Sequence, residues 1–156
     1  MTPGLIAIVC ALVVATAFGL FWKQRNGRVS RVGGSDEKAA MTAAPTAADA
    51  SAVKNSALTQ ADIGAVLGSR ATLVQFSSAF CAPCRATRRV LTDVAGMVDG
   101  VAHVEIDAES RLDLVRRLDV RRTPTTFVLG PDGRVTHRAS GQPRKADVIA
   151  ALGAVL

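Results

Sequence analysis

The chain has 156 residues and a mass of 16.2 kDa, room for one domain of about 100–150 residues with an appendage. An apolar content of 49% against 21% charged excludes global disorder, and three cysteines are too few for a disulfide-stapled scaffold. The net charge of +6 invites a nucleic-acid reading, but five Phe, one Trp and no Tyr supply no base-stacking platform. Phe18, Phe21 and Trp22 fall in the N-terminal run, which leaves Phe76, Phe80 and Phe127 for the rest of the chain; no nucleic-acid partner is expected. Arg outnumbers Lys 15 to 4 in an Ala-rich chain, a composition associated with GC-rich bacterial genomes.

No charged side chain occurs from Pro3 to Trp22. About 19 helical residues at ~1.5 Å each cover roughly 28 Å, close to the hydrocarbon thickness of a bilayer. Residues 4–22 are therefore expected to form one transmembrane helix, with Phe21 and Trp22 as interfacial anchors just before Lys23. The competing reading is a cleaved signal peptide, since Ala15-Thr16-Ala17 offers a small-residue cleavage site. The missing N-terminal Lys or Arg, and an apolar run that continues past that site, favour the anchor. Cys10 reads as a small apolar filler. Lys23, Arg25, Arg28 and Arg31 follow with no acid before Asp36, and the positive-inside rule places this flank, and all that follows, on the cytoplasmic face of a cell membrane. Residues 1–32 form the anchor with its basic flank. Residues 33–57 open with Gly33-Gly34-Ser35 and continue in Ala, Thr, Ser and Asp with Pro45, a flexible linker that cannot build a core.

The folded domain is expected over 58–156. Thr59-Gln60-Ala61-Asp62 reads as a capping box opening a short helix that carries Ile63, Val66 and Leu67. Thr72 to Phe76 is a strand of buried type, and Thr87, Val90, Leu91, Val94 and Val98 then recur at helical spacing. Val101 to Ile106 is a second strand, and Ser110-Arg111-Leu112-Asp113 predicts a capped helix ending near Leu118. Thr125 to Leu129 and Val135 to Ala139 form a hairpin around Pro131-Asp132-Gly133, and a last helix carries Val148, Ile149, Leu152 and Val155. The order αβαβαββα predicts an α/β domain whose mixed sheet is covered by helices on both faces.

The chemistry is expected at Cys81-Ala82-Pro83-Cys84, directly after a buried strand and at the start of a helix. Unpaired N–H groups at a helix N-terminus favour an anion, which lowers the pKa of Cys81. The two-residue spacer lets Cys84 resolve a mixed disulfide formed at Cys81, and Pro83 suits the first helical turn. Half of a zinc site is the alternative, but only Cys10, His103 and His137 remain as ligands, and no second Cys pair exists. A purely structural disulfide is also a poor reading, because a loop this short constrains little unfolded chain. No metal is expected, and no cofactor beyond a redox-active Cys81–Cys84 disulfide.

Leu73-Val74-Gln75-Phe76, Cys81-Ala82-Pro83-Cys84-Arg85, Ile106-Asp107, Thr123-Pro124-Thr125, Pro131-Asp132-Gly133 and Gly141 occur in this order along the chain. On these motifs, residues 59–156 resemble the thioredoxin family. The resemblance implies a thioredoxin fold, Cys81 as nucleophile, Cys84 as resolving thiol, and Pro124 as a cis-proline packed against them. Thr123 would offer its backbone to an incoming peptide as an added strand, with Phe80, Ala82 and Pro83 as the rest of the substrate-binding rim. The departures are specific. Ala-Pro replaces the family's commonest Gly-Pro spacer, and Ser77 and Phe80 stand where tryptophans are usual. Gln75 replaces a buried aspartate and His103 its lysine partner, so the usual general base for Cys84 is absent. His103 is the candidate proton relay, with a structural histidine as the alternative; His137 is expected to face solvent.

The expected function is a membrane-tethered thiol–disulfide oxidoreductase that reduces disulfide-containing proteins and is reset by an upstream thiol reductant, the direction favoured in the cytoplasm. Two rivals are an outward-facing oxidase, isomerase or cytochrome-maturation reductase, and a redox-inactive binding module that uses the cis-proline groove.

Overall fold

The computed structural model describes residues 3–25, 28–32 and 57–156. It opens with a helix, α1 (Pro3–Arg25), whose described side chains, 8–21, are all exposed. Among the described residues no helix is long and apolar enough to cross a membrane.

The remaining elements are β1 (Val29–Arg31), α2 (Gln60–Ile63), β2 (Ala71–Ser77), α3 (Ala82–Gly96), β3 (Val101–Asp107), α4 (Leu112–Arg117), β4 (Thr125–Leu129), β5 (Val135–Ser140) and α5 (Lys145–Gly153). The strands form one sheet in the order β1-β5-β4-β2-β3. β2 and β3 run parallel, joined across α3, and the other pairings are antiparallel. Alternation along β2 and β4 divides the core. Val74, Phe76, Phe127 and Leu129 pack with Ile63, Leu114 and Leu118 on one face. Leu73 and Val128 pack with Leu91, Val94, Val148 and Leu152 on the other. The mixed sheet with helices on both faces is the predicted architecture.

Local chemistry explains the boundaries. Thr59 Oγ1 accepts from Asp62 N at 3.2 Å while Thr59 N donates to Asp62 Oδ2 at 2.8 Å, the reciprocal bonds of a capping box. Those bonds, opposed by burial and aided by Arg117 at 2.8 Å, hold the Asp62 carboxyl down at about 2. Gly133 turns the hairpin at φ +76°, a conformation that disfavours any Cβ. The expected cap at Ser110 does not form: its hydroxyl donates back to Asp107 O at 3.0 Å, and α4 begins after Arg111 with no side-chain cap.

The main difference from the sequence reading is β1. Val29–Arg31, read as part of the basic flank, pairs antiparallel with β5, Val29 opposite Ala139 and Arg31 opposite His137. The reason is local alternation: Val29 packs on one core and Val32 on the other, and Val32 N donates to Thr136 O at 2.8 Å. His137 is consequently buried rather than solvent-facing, and burial together with the Arg31 charge pushes its pKa below the usual value. Of the expected linker, residues 33–56 lie outside the described residues; Ala57 bridges to Arg134.

Candidate active site

β2 ends at Ser77, and the chain turns through 78–80 so that Cys81 becomes the N-cap of α3. Cys81 and Cys84 are joined as a disulfide, their Cα atoms 5.2 Å apart. Cys81 Sγ accepts from Cys84 N at 3.1 Å, placing this sulfur among the free N–H groups of the helix start. Cys81 is partly exposed, Cys84 is buried, and Ala82 and Pro83 are exposed. Cys81 is therefore the more accessible member of the pair. Phe80 is fully exposed beside the pair.

The second wall comes from the loop before β4. The Thr123–Pro124 peptide is cis. Ser78 Oγ and Thr123 Oγ1 lie 3.0 Å apart, a hydrogen bond that ties the Cys81 loop to the proline loop. Pro124 O accepts from Gly141 N at 2.7 Å, where Gly141 sits at φ +94°. Pro83, Thr123 and Pro124 line one groove of about 1110 Å³ together with Gly141, Gln142 and Pro143. The structure thus brings together Cys81, Cys84, Pro83, Thr123 and Pro124, residues separated by some forty positions in the chain.

Beneath the pair lies Gln75, fully buried. Its Nε2 donates to Ser77 Oγ at 2.7 Å and to Cys84 O at 3.0 Å, and it stands 3.5 Å from Glu105 Oε1, while its Oε1 is buried with no partner. The register places Glu105, not His103, opposite Gln75; His103 is opposite Leu73 and its Nδ1 lies 3.1 Å from Thr92 Oγ1. His103 thus sits two residues along β3 from the position opposite Gln75, with its ring engaged by Thr92 of α3. Its pKa is pushed down by burial, with the Glu105 charge opposing and the Arg88 charge assisting.

Glu105 is the residue that sequence reasoning missed. It lines a cleft of about 410 Å³ with Cys81, Cys84, Ser77, Arg88 and Asp107. Burial raises its pKa, but bonds from Arg88 (Nη2 to Oε1, 2.9 Å) and Ser77, with the Arg88 and His103 charges, bring it below the ordinary value. Glu105 is accordingly an anion at neutral pH. The register, with Phe76 opposite Ile106, sets Gln75 beside Glu105. Among the described residues no group of three or more His, Cys, Asp or Glu is placed to hold a metal ion.

A family model described as thioredoxin matches residues 55–154. The chain belongs to the thioredoxin family. Thioredoxin H2-1 of Oryza sativa subsp. japonica is 29% identical over 73 residues, covering 47% of this chain and 52% of the rice protein. Thioredoxin of Ophiophagus hannah is 28% identical over 74 residues, covering 47% of this chain and 70% of the cobra protein. The chain thus spans about half the length of the rice relative. Among solved structures, chloroplastic thioredoxin z superposes with a TM-score of 0.51 at 28% identity, over 56% of this chain and 79% of that one. Fasciola hepatica thioredoxin gives 0.51 at 20% identity, over 57% and 84%, and bears on the fold alone. The thioredoxin fold is thus common ground between sequence, geometry and family, and the Cys81–Cys84 disulfide is common ground between sequence and geometry.

Proposed function

We propose that this chain is a thiol–disulfide oxidoreductase that reduces protein disulfides through Cys81 and Cys84. The observation that carries the reading is the asymmetry of the pair. Cys81 is partly exposed at the N-terminus of α3 and Cys84 is buried behind it, both beside a groove walled by cis-Pro124. In the reduced protein the Cys81 thiolate attacks a substrate disulfide, forming one S–S bond to the substrate and releasing one substrate thiolate. Cys84 then loses its proton and attacks Cys81 Sγ. The second substrate thiol leaves, the Cys81–Cys84 disulfide forms, and two electrons have passed to the substrate. An upstream dithiol restores the reduced pair. Thr123 presents its backbone to the bound segment, with Phe80, Ala82 and Pro83 as the rim. Water in the cleft shared by Cys84 and Glu105 takes the Cys84 proton; Gln75 cannot titrate.

The proposal includes a membrane anchor through residues 4–22 and a cytoplasmic domain. It is supported by the uncharged run Pro3–Trp22 and by the basic flank Lys23, Arg25, Arg28 and Arg31. Retention in the membrane fraction after a carbonate wash, and a reporter fused after Leu156 that is active only in the cytoplasm, test the two parts. Insulin disulfide turnover tests the chemistry: the parent chain is active and Cys81→Ser is inactive. Turnover by Cys81→Ser at the parent rate would refute the assignment.

A further inference from the structure

The groove beside cis-Pro124 is electrically lopsided. Its lining contributes four cations, Arg28, Arg122, Arg144 and Lys145, and one anion, Asp147. Asp147 is held by Arg144 through two bonds of 2.8 and 2.9 Å, so these two charges offset each other and the excess of the lining comes from Arg28, Arg122 and Lys145. Arg122 Nη2 donates to Ser140 O at 3.3 Å, which fixes the guanidinium at the groove wall next to Thr123. Lys145 stands a loose 3.6 Å from Asp93. On the opposite side of the disulfide the cleft carries Arg85 and Arg88 against Glu105 and Asp107, a balanced set. Of the two clefts beside the disulfide, the one along the proline loop therefore carries the positive excess among its described lining residues.

Resting on the proposed disulfide reduction, we infer that the preferred substrate is a disulfide-bearing polypeptide with acidic residues next to the attacked cysteine, seated along the Arg122–Lys145 wall. An acidic segment placed here gains attraction in the encounter and in the bound complex, whereas a basic one meets like charge. Two acidic residues against these exposed cations raise the rate about tenfold at low salt, since each such pair contributes only a fewfold. The advantage falls below about twofold near 1 M salt, where the Debye length is ~3 Å.

The test uses the full chain, prereduced, in nonionic micelles, and a single turnover measured by acid quench. Three disulfide-bridged peptides differ only at the two positions flanking one cysteine, carrying Glu, Gln or Lys. The expected order is Glu over Gln over Lys, with the spread collapsing in high salt. In the Arg122→Glu/Lys145→Glu variant the Glu-to-Lys ratio inverts; because a ratio is read, partial loss of folded protein does not mimic the result. Glutamate is well placed at 145, at the start of α5, where the helix dipole favours an anion. Equal rates for the three peptides would overturn the inference and leave disulfide reduction standing. No reaction even with the Gln peptide would overturn both. Loss of the Glu advantage on adding phosphatidylglycerol at constant ionic strength would also overturn it, by showing that the cations serve a lipid headgroup instead.

Discussion

Replacing Gln75 by Glu keeps the side chain's length and shape and turns a neutral amide into a carboxyl in a site closed to water. The amide donates to Ser77 Oγ and Cys84 O, and the Glu105 carboxylate is 3.5 Å away. In the variant the Cys84 carbonyl would face an acceptor, and the Ser77 hydroxyl, which donates to Glu105, could serve the new carboxyl only by giving up that bond. With the new carboxyl protonated, the loss is about one hydrogen bond, about 1–2 kcal/mol. With it ionised, burial and the Glu105 anion both oppose the charge, so the folded state raises its pKa above the unfolded ~4.3. The sign follows: the unfolded chain releases the proton first as pH rises, so the variant loses stability relative to the parent above ~4.3, at about 1.4 kcal/mol per pH unit, until the folded pKa is reached. Urea unfolding of the oxidised parent and Gln75→Glu at pH 5, 6 and 7 measures the difference, which is expected to widen by up to about 3 kcal/mol over that span. A difference that stays constant with pH would refute the picture of a dry, acceptor-lined site beneath the disulfide.

Other outcomes are equally specific. The pKa values of His103 and His137 are both pushed down, by burial first and then by neighbouring Arg charges, with Glu105 opposing at His103. The unfolded chain is therefore protonated first, and stability should fall as pH is lowered through about 6.5 and level off below the folded values; a His103→Gln/His137→Gln double variant should show a flatter unfolding profile between pH 8 and 5. His103→Ala should leave the rate of mixed-disulfide resolution within about twofold of the parent, because the ring is opposite Leu73 and bonded to Thr92; general-base participation would cost ~100-fold, visible by rapid quench. A chain beginning at Ser56 lacks β1 and leaves the β5 edge uncovered. Amide exchange in 137–139 should then accelerate relative to the full chain while protection in β2 and β4 is retained.

How much of this was legible in the sequence follows from where the information lies. Leu73, Val74, Phe76, Leu91, Val94, Val128 and Leu152 were readable as core because period-two and helical spacing are properties of the chain itself. The Cys81 helix start was readable for the same reason: strand, pair and helix are contiguous. The partner of Gln75 was not, because register is a tertiary property; a shift of two residues along β3 exchanges His103 for Glu105. β1 was missed because three residues beside an apolar run and a basic cluster carry no strand signal of their own, and only the free edge of β5 makes a strand of them. The charge of the groove escaped notice because Arg28, Arg122, Arg144 and Lys145 are scattered through the chain and converge only around cis-Pro124.

The central claim is that Cys81 attacks and Cys84 resolves. The most direct measurement is mass-spectrometric mapping of the covalent complexes formed when prereduced Cys84→Ser and Cys81→Ser chains meet the same disulfide peptide. The geometry predicts a stable mixed disulfide through Cys81 in Cys84→Ser and none in Cys81→Ser, since only the Cys81 sulfur is both reachable and seated at the α3 N-terminus. Adducts through Cys84, or equal yields from the two variants, would contradict it.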